Sequence, residues 1–282
     1  SVQNDSVPMR HKGRLSFGGY GEAVYTRNFY SDNWKRYTDA SKYKDADGHG
    51  RFDLPHVTFF IGYNFGKGWK MYSEIEFEHG GTESAMEIEE EENGEYESEI
   101  ERGGEVALEQ FWIEKSFCKA ANLRLGHIIV PVGLTNAHHE PINFFGTSRP
   151  EGETSLLPST WHENGLEIFG SFGKGYASFD YQAMVVAGLN PNGFDRNTWV
   201  GSGKQGIFEE DNFTSPAYVF RLDYKGVPGL RVGASFYYCA DAGANSDKEQ
   251  TYANYGKIPI RIFTADAQYR NKYVTARGNI LY

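Results

Sequence analysis

The chain has 282 residues, a formal net charge of −10 and 23% charged residues, yet 16% of it is aromatic, with 19 Tyr, 20 Phe and 33 Gly. That aromatic content excludes an intrinsically disordered chain, no apolar run reaches the ~20 residues of a membrane helix, and the acidic balance argues against nucleic acid as a partner. Two cysteines, Cys118 and Cys239, cannot build a disulfide framework.

From the N-terminus, the opening SVQNDSVP is polar and carries no signal peptide, which fits either a cytosolic chain or a mature exported one. Residues 1–12 are expected to form a periplasmic segment, and a strand pattern begins at 13–25. Helical periodicity is nearly absent after that, while alternation with a period of two recurs. In 54–65, Val57, Phe59, Ile61, Tyr63 and Phe65 oppose His56, Thr58, Phe60, Gly62 and Asn64. NFGKGW makes a short hairpin turn into 69–79. There Trp69, Met71, Ile75 and Phe77 take one face, and Lys70, Tyr72, Glu74, Glu76 and Glu78 take the other. Further strands are predicted at 105–117, 122–131, 163–171, 175–187, 216–225, 229–239, 259–270 and 272–281. In 175–187, Ala177, Phe179, Tyr181, Ala183 and Val185 point outward and Ser178, Asp180 and Gln182 inward. The segment 105–117, VALEQFWIEK and its flanks, mixes its faces.

The connections alternate strictly between long (26–53, 80–104, 132–162, 188–215, 240–258) and short (66–68, 118–121, 172–174, 226–228, near 271). A soluble sandwich has no reason to place every long loop at one end. A membrane barrel does, because its periplasmic turns are short and its outer loops long. The expected fold is therefore all-β, a transmembrane antiparallel up-and-down β-barrel of at least 12 strands, over 13–282. Eleven strands is an odd count, and an open edge in lipid would leave backbone groups unsatisfied. The expectation is that one strand escapes the pattern or that the barrel continues beyond Tyr282.

The segments LSFGGYGEAVYTR (15–27), FFIGYNFGKGWKMYSEIEFEHGG (59–81), LEQFWIEKSF (108–117) and LRLGHIIVPVGLTN (123–136) resemble the phosphate-selective porin O/P family and the related outer-membrane porins of Bacteroidetes. The resemblance implies a larger barrel, commonly of sixteen strands and often a homotrimer. It also implies a Gram-negative outer membrane, with lipid and lipopolysaccharide around the wall and small hydrophilic solutes or ions passing through it.

The alternation assigns a lining of Arg14, Glu22, Lys70, Glu74, Glu76, Arg124, Glu167, Asp180, Arg221, Asp223, Arg231, Asp266 and Arg277, together with Glu78. This set is mixed and slightly acidic, which favours cations over phosphate if the charges act on solute. The alternative is that they pair across neighbouring strands and hold the wall together. The acid run 87–101 reads as a solvated outer loop, or as one that repels anions or collects divalent cations near the pore mouth. The stretch 130–162 mixes Pro, Gly, aromatics and His, and its apolar residues need something to pack against. It is expected to fold partly inward as a constriction loop, with Glu140, Arg149 and Glu151 in the passage, or to cap the neighbouring loops.

No metal site is expected. His138 and His139 are adjacent and so rarely point to one ion, although His127 and His162 could lie nearby in space; no HExxH or Cys cluster is present, and DADGHG (45–50) is a glycine-rich turn rather than a calcium loop. No cofactor and no enzymatic activity are expected. The sequence reading is a passive diffusion pore, with a plugged barrel acting as a surface adhesin or partner-binding protein as the alternative. Outward Trp69, Trp112, Tyr25 and Tyr224 are candidates for interfacial belts.

Overall fold

Two-residue periodicity becomes strand almost wherever the sequence carries it. The computed structural model describes residues 10–27, 39–44, 48–81, 84–90, 96–102, 104–136, 156–158, 160–196, 198–205, 210–246 and 256–282. The strands are β1 (Arg10–Lys12), β2 (Leu15–Gly21), β3 (Val24–Arg27), β4 (Gly50–Asp53), β5 (His56–Gly66), β6 (Trp69–Glu78), β7 (Ser84–Glu90), β8 (Tyr96–Arg102), β9 (Glu105–Cys118), β10 (Ala121–Ile129), β11 (His162–Lys174), β12 (Ala177–Val186), β13 (Ala217–Tyr224), β14 (Leu230–Cys239), β15 (Ile260–Arg270) and β16 (Thr275–Leu281). A one-turn helix, Ala40–Tyr43, precedes β4.

Among the described residues, twelve strands form one sheet in the order β1-β2-β5-β6-β9-β10-β11-β12-β13-β14-β15-β16, and β3–β4 and β7–β8 are separate two-stranded ladders. The large sheet contains the eleven expected strands, with β1 added ahead of them. Its printed registers from β9 to β16 are all antiparallel between consecutive strands. By its contacts the chain divides into two units, residues 1–16, 61–73 and 109–282 in one and 17–60 and 74–108 in the other.

Two expectations change. The acid run is not simply loop: β7 and β8 pair with Glu87 opposite Glu99 and Glu89 opposite Glu97. The confusing faces of β9 have a physical origin. Exposed residues fall at Val106 and Leu108, then at Phe111 and Ile113, so one extra residue shifts the alternation around Glu109. Trp112 consequently joins the covered face and stacks on Tyr72, with ring centroids 5.2 Å apart. It is not an outward belt residue.

In the larger unit the two faces of the sheet differ in an unusual direction. Phe220, Phe236 and Phe263 are register partners across β13, β14 and β15 and are all exposed. Leu125 is 60% exposed and pairs with the exposed Leu166. The covered face carries charge instead: Arg221 and Asp223 are each 2% exposed, Asp266 4% and Glu167 1%. Soluble proteins do the reverse.

Toward the long-loop ends of β12–β15 the covered face becomes apolar. Met184, Val219, Tyr237 and Ile262 form one register row, and Val186, Ala217, Cys239 and Ile260 the next. Connecting segments pack on them: Val130, Val132, Leu157, Trp161, Leu189, Val200 and Ala242 complete the cluster. The Gly133 N–H donates to Thr264 Oγ1 of β15 at 3.4 Å, so the segment leaving β10 crosses the covered face to a strand five places along the sheet. The described residues of 130–162 thus pack on the covered face, an arrangement common to the constriction-loop and the capping expectation. Glu140, Arg149 and Glu151 lie outside the described residues, as do His138 and His139.

Three buried side-chain amides pin these connections. Asn136 Nδ2 donates to the carbonyls of Val130 (2.5 Å) and Trp161 (3.2 Å), while its Oδ1 accepts from Trp161 N (2.6 Å). Asn245 Nδ2 donates to the carbonyls of Leu189 and Ser215, and its Oδ1 accepts from Ser215 N. Gln205 donates to the carbonyls of Gly188 and Asn212 and accepts from Asn212 N. Each satisfies backbone groups that irregular chain would otherwise bury unpaired.

Candidate functional site

The charged residues of the covered face form layers set by the strand register. Glu114, Arg124 and Glu167 are consecutive register partners across β9, β10 and β11. Gln182, Arg221, Ser235 and Thr264 form a separate row across β12 to β15, whose register partner on β11 is Phe169, while Glu167 itself pairs with Met184. Two residues nearer the short turns lies an acidic layer, Asp180, Asp223, Gly233 and Asp266, with Asn279 of β16 at its end. Residues two apart share a face, so sequence spacing puts these side chains on one face and the register decides which of them align.

Within this face cations and carboxylates interlock. Arg124 bonds Glu167 at 2.8 Å and Glu114 at 3.1 Å, and Lys70 approaches Glu114 at 3.4 Å. The Arg124 guanidinium lies between two rings, 4.2 Å from the Trp112 centroid and 4.5 Å from that of Phe169, where the ring faces favour a cation. Gln182 Nε2 donates to Glu167 Oε1 at 2.7 Å.

Arg221 makes four hydrogen bonds, two to Asp223 (3.0 and 2.9 Å) and two to Asp266 (both 2.9 Å). To reach Asp266 on β15 it must pass over β14. The residue there is Gly233, and a Cβ at that position would sit 2.3 Å from Arg221 Nη2 and 2.7 Å from Asp223 Oδ1. The glycine is thus a gap through which the guanidinium fork bridges two strands. Arg231 completes the cluster, 3.0 Å from Asp223 and 3.7 Å from Asp180, and Lys225 pairs with Asp180, which also accepts from Ser171 Oγ.

Among the described residues, the network in this unit joins Lys70, Arg124, Arg221, Lys225 and Arg231 with Glu114, Glu167, Asp180, Asp223 and Asp266. Positive and negative groups are equal in number. Sequence reading found most members but missed two: Glu114 was hidden by the frame shift in β9, and Lys225 sits just past the end of β13. Gln182, which donates to Glu167, was placed inward without a role. Arg277 of β16 is half-buried and pairs in register with Gln268, whereas Arg14 is an exposed residue of the turn between β1 and β2.

In the smaller unit, Glu74 is 1% exposed and Glu76 is also buried, as their alternation predicts. Glu76 hydrogen-bonds His56 Nδ1, and Glu78 lies 3.9 Å from the same nitrogen. Glu22 adjoins them through its backbone N–H, which donates to the His56 carbonyl at 3.0 Å.

A ring of exposed aromatics marks the short-turn end of the larger unit. Phe65, Trp69, Phe117, Phe172, Tyr176 and Tyr273 all lie on or beside short turns and are 46% to 83% exposed. The Lys115 ammonium sits over Trp69, 5.1 Å from its centroid. The turn at 66–68 is tight enough to require left-handed backbone at three successive residues, Gly66, Lys67 and Gly68 (φ 87°, 53° and 82°). Cys118 is exposed at the short-turn end of β9, and Cys239 is buried at the long-loop end of β14; both are free thiols.

The structure is similar to that of Salmonella typhi OmpF in complex with daunomycin, with a TM-score of 0.54 at 10% sequence identity, over 97% of this chain and 67% of that one. The fold is that of a porin, an antiparallel up-and-down β-barrel. An uncharacterized protein of Aquifex aeolicus (strain VF5) is 30% identical over 225 residues, which are 79% of this chain and 44% of that protein. The chain therefore spans less than half the length of this relative. No family model matches the chain. Among the described residues no helix is long and apolar enough to cross a membrane, which says nothing about strands.

Proposed function

We propose that the chain forms the wall of a passive outer-membrane pore for small hydrophilic solutes or ions. The observation that carries this reading is the inverted sheet, with apolar side chains exposed and ionised ones covered. A lipid-facing band and a polar lumen call for that arrangement, and the aromatic ring at the short-turn end fits the interfacial girdle of such barrels. In this reading lipid and lipopolysaccharide contact the exposed face, and the chain resides in the outer membrane of a Gram-negative cell. The lining residues are Lys70, Arg124, Glu167, Asp180, Arg221, Asp223, Arg231, Asp266 and Arg277, with Glu22, Glu74 and Glu76 in the smaller unit and Arg14 at the turn. Glu140, Arg149 and Glu151 belong to the segment proposed to narrow the passage, and a homotrimer of the kind implied by phosphate-selective porins remains part of the proposal.

The pairing of cations with carboxylates sets the expected selectivity. Charges locked to one another give a transverse field but little net potential, so neither a phosphate preference nor strong cation selectivity follows from the described lining. The apolar cluster over β12–β15 favours a second reading, in which the connections plug the barrel and the protein serves as a surface adhesin or partner-binding protein.

Single-channel recording of the folded protein in planar bilayers separates the two. The pore reading predicts stepwise conductance and a reversal potential close to zero under a potassium chloride gradient. Absence of conductance from correctly folded protein would favour the plugged barrel, and strong anion selectivity would contradict the balanced lining.

A further inference from the structure

The smaller unit carries a polar cluster of its own, outside the ion-pair network of the larger unit. His56 opens β5, and Glu76 and Glu78 are two apart near the end of β6, so alternation puts both carboxylates on one face. The hairpin then brings the imidazole beside them. The donor atoms of the three side chains all lie within 4.8 Å of one another.

One imidazole can neutralise one carboxylate, and His56 already hydrogen-bonds Glu76. Glu78, 3.9 Å from the same nitrogen, brings a second negative charge to the same face. One nitrogen and two carboxylate oxygens suit a borderline divalent cation, with the remaining position left to water. Side-chain exposures of 30% for His56 and 37% for Glu78 leave that position open to solvent, while Glu76 at 7% anchors the site. Donors around a tetrahedral zinc ion lie about 3.3–3.5 Å apart given bonds of about 2.0–2.2 Å, a spacing that side-chain rotation alone can reach from the observed spread.

We propose that His56, Glu76 and Glu78 form a divalent transition-metal site, of zinc type, at the long-loop end of the β5–β6 hairpin. The metal takes the place of the hydrogen bond between His56 Nδ1 and Glu76, and Glu78 closes on the ion. A neutral imidazole then carries its proton on Nε2 and releases none, an imidazolium gives one proton to solvent, and no redox step is involved. The site does not depend on whether the barrel conducts.

The test is calorimetric titration of zinc chloride into tag-free, chelator-treated full chain folded in detergent, in two buffers of different ionisation enthalpy. The expected result is saturable binding of one equivalent, with the buffer dependence giving the number of protons released, and with affinity weakened about ten-fold or more in both His56→Ala and Glu78→Gln. Glu78 is partly exposed, so Glu78→Gln keeps the fold, and circular dichroism checks this for both variants. No saturable binding by the unaltered protein, or unchanged affinity in either variant, overturns the proposal.

Discussion

At the scale of single residues, the account turns on Arg221 and the glycine that makes room for it. Four hydrogen bonds to two buried carboxylates leave Arg221 no alternative partner of equal quality. Removing the guanidinium strands Asp223 and Asp266 as covered charges, although Arg231 still reaches Asp223. Arg221→Met is expected to cost about 3–5 kcal/mol of folding stability, the range for breaking a buried pair from one side. Arg221→Lys recovers only part of that, because a single ammonium cannot match two bidentate contacts. Gly233→Ala should destabilise in the same direction by about 1–3 kcal/mol, since the added methyl displaces the fork. Urea titration of the protein folded into lipid vesicles measures all three. A neutral Gly233→Ala would show that the bridge can re-form around a side chain. The sequence names Arg221, Asp223 and Asp266 as one face by alternation alone. It cannot say that they meet, because that depends on a register across β13, β14 and β15 that no local pattern carries.

At the scale of elements, most strands were legible and the connections were not. Two-residue periodicity and tight turns such as Gly66–Gly68 are local signals, and they locate β5, β6 and β10 to β16 to within a few residues. β9 was blurred because an extra residue near Glu109 reverses its phase. The hairpin in the acid run was hidden by its composition. The packing of Val130, Val132, Leu157 and Trp161 on the covered face was suggested by apolar residues lacking a partner, but Thr264 and Tyr237 as the receiving surface were not readable. Trp161 is fully buried, tilts against Tyr237 with centroids 4.9 Å apart, and donates through Nε1 to Glu163 at 3.1 Å. Trp161→Ala should cost about 3–5 kcal/mol and raise single-channel conductance by loosening the inward segment. Trp161→Phe loses the hydrogen bond but keeps most of the volume, and should leave conductance close to that of the unaltered protein. Unchanged conductance in folded Trp161→Ala would show that this cluster does not narrow the passage.

At the scale of the molecule, everything rests on which side of the sheet meets lipid. Composition alone makes this hard to see, since a wall that is apolar on one face and charged on the other averages to a polar chain. The fold class was nonetheless legible because alternating long and short connections report topology directly. Layering of the covered face, apolar at the long-loop end and charged below, emerged only from the register. The most direct measurement is the accessibility of nitroxides attached at Ile168→Cys on the exposed face and Gln182→Cys on the covered face, in protein reconstituted into bilayers and lacking the exposed thiol of Cys118. The label at 168 is expected to be relaxed preferentially by oxygen, which concentrates in lipid, and the label at 182 by a water-soluble nickel chelate. The reverse pattern, or preferential relaxation of both labels by the chelate, would contradict a membrane wall with this orientation.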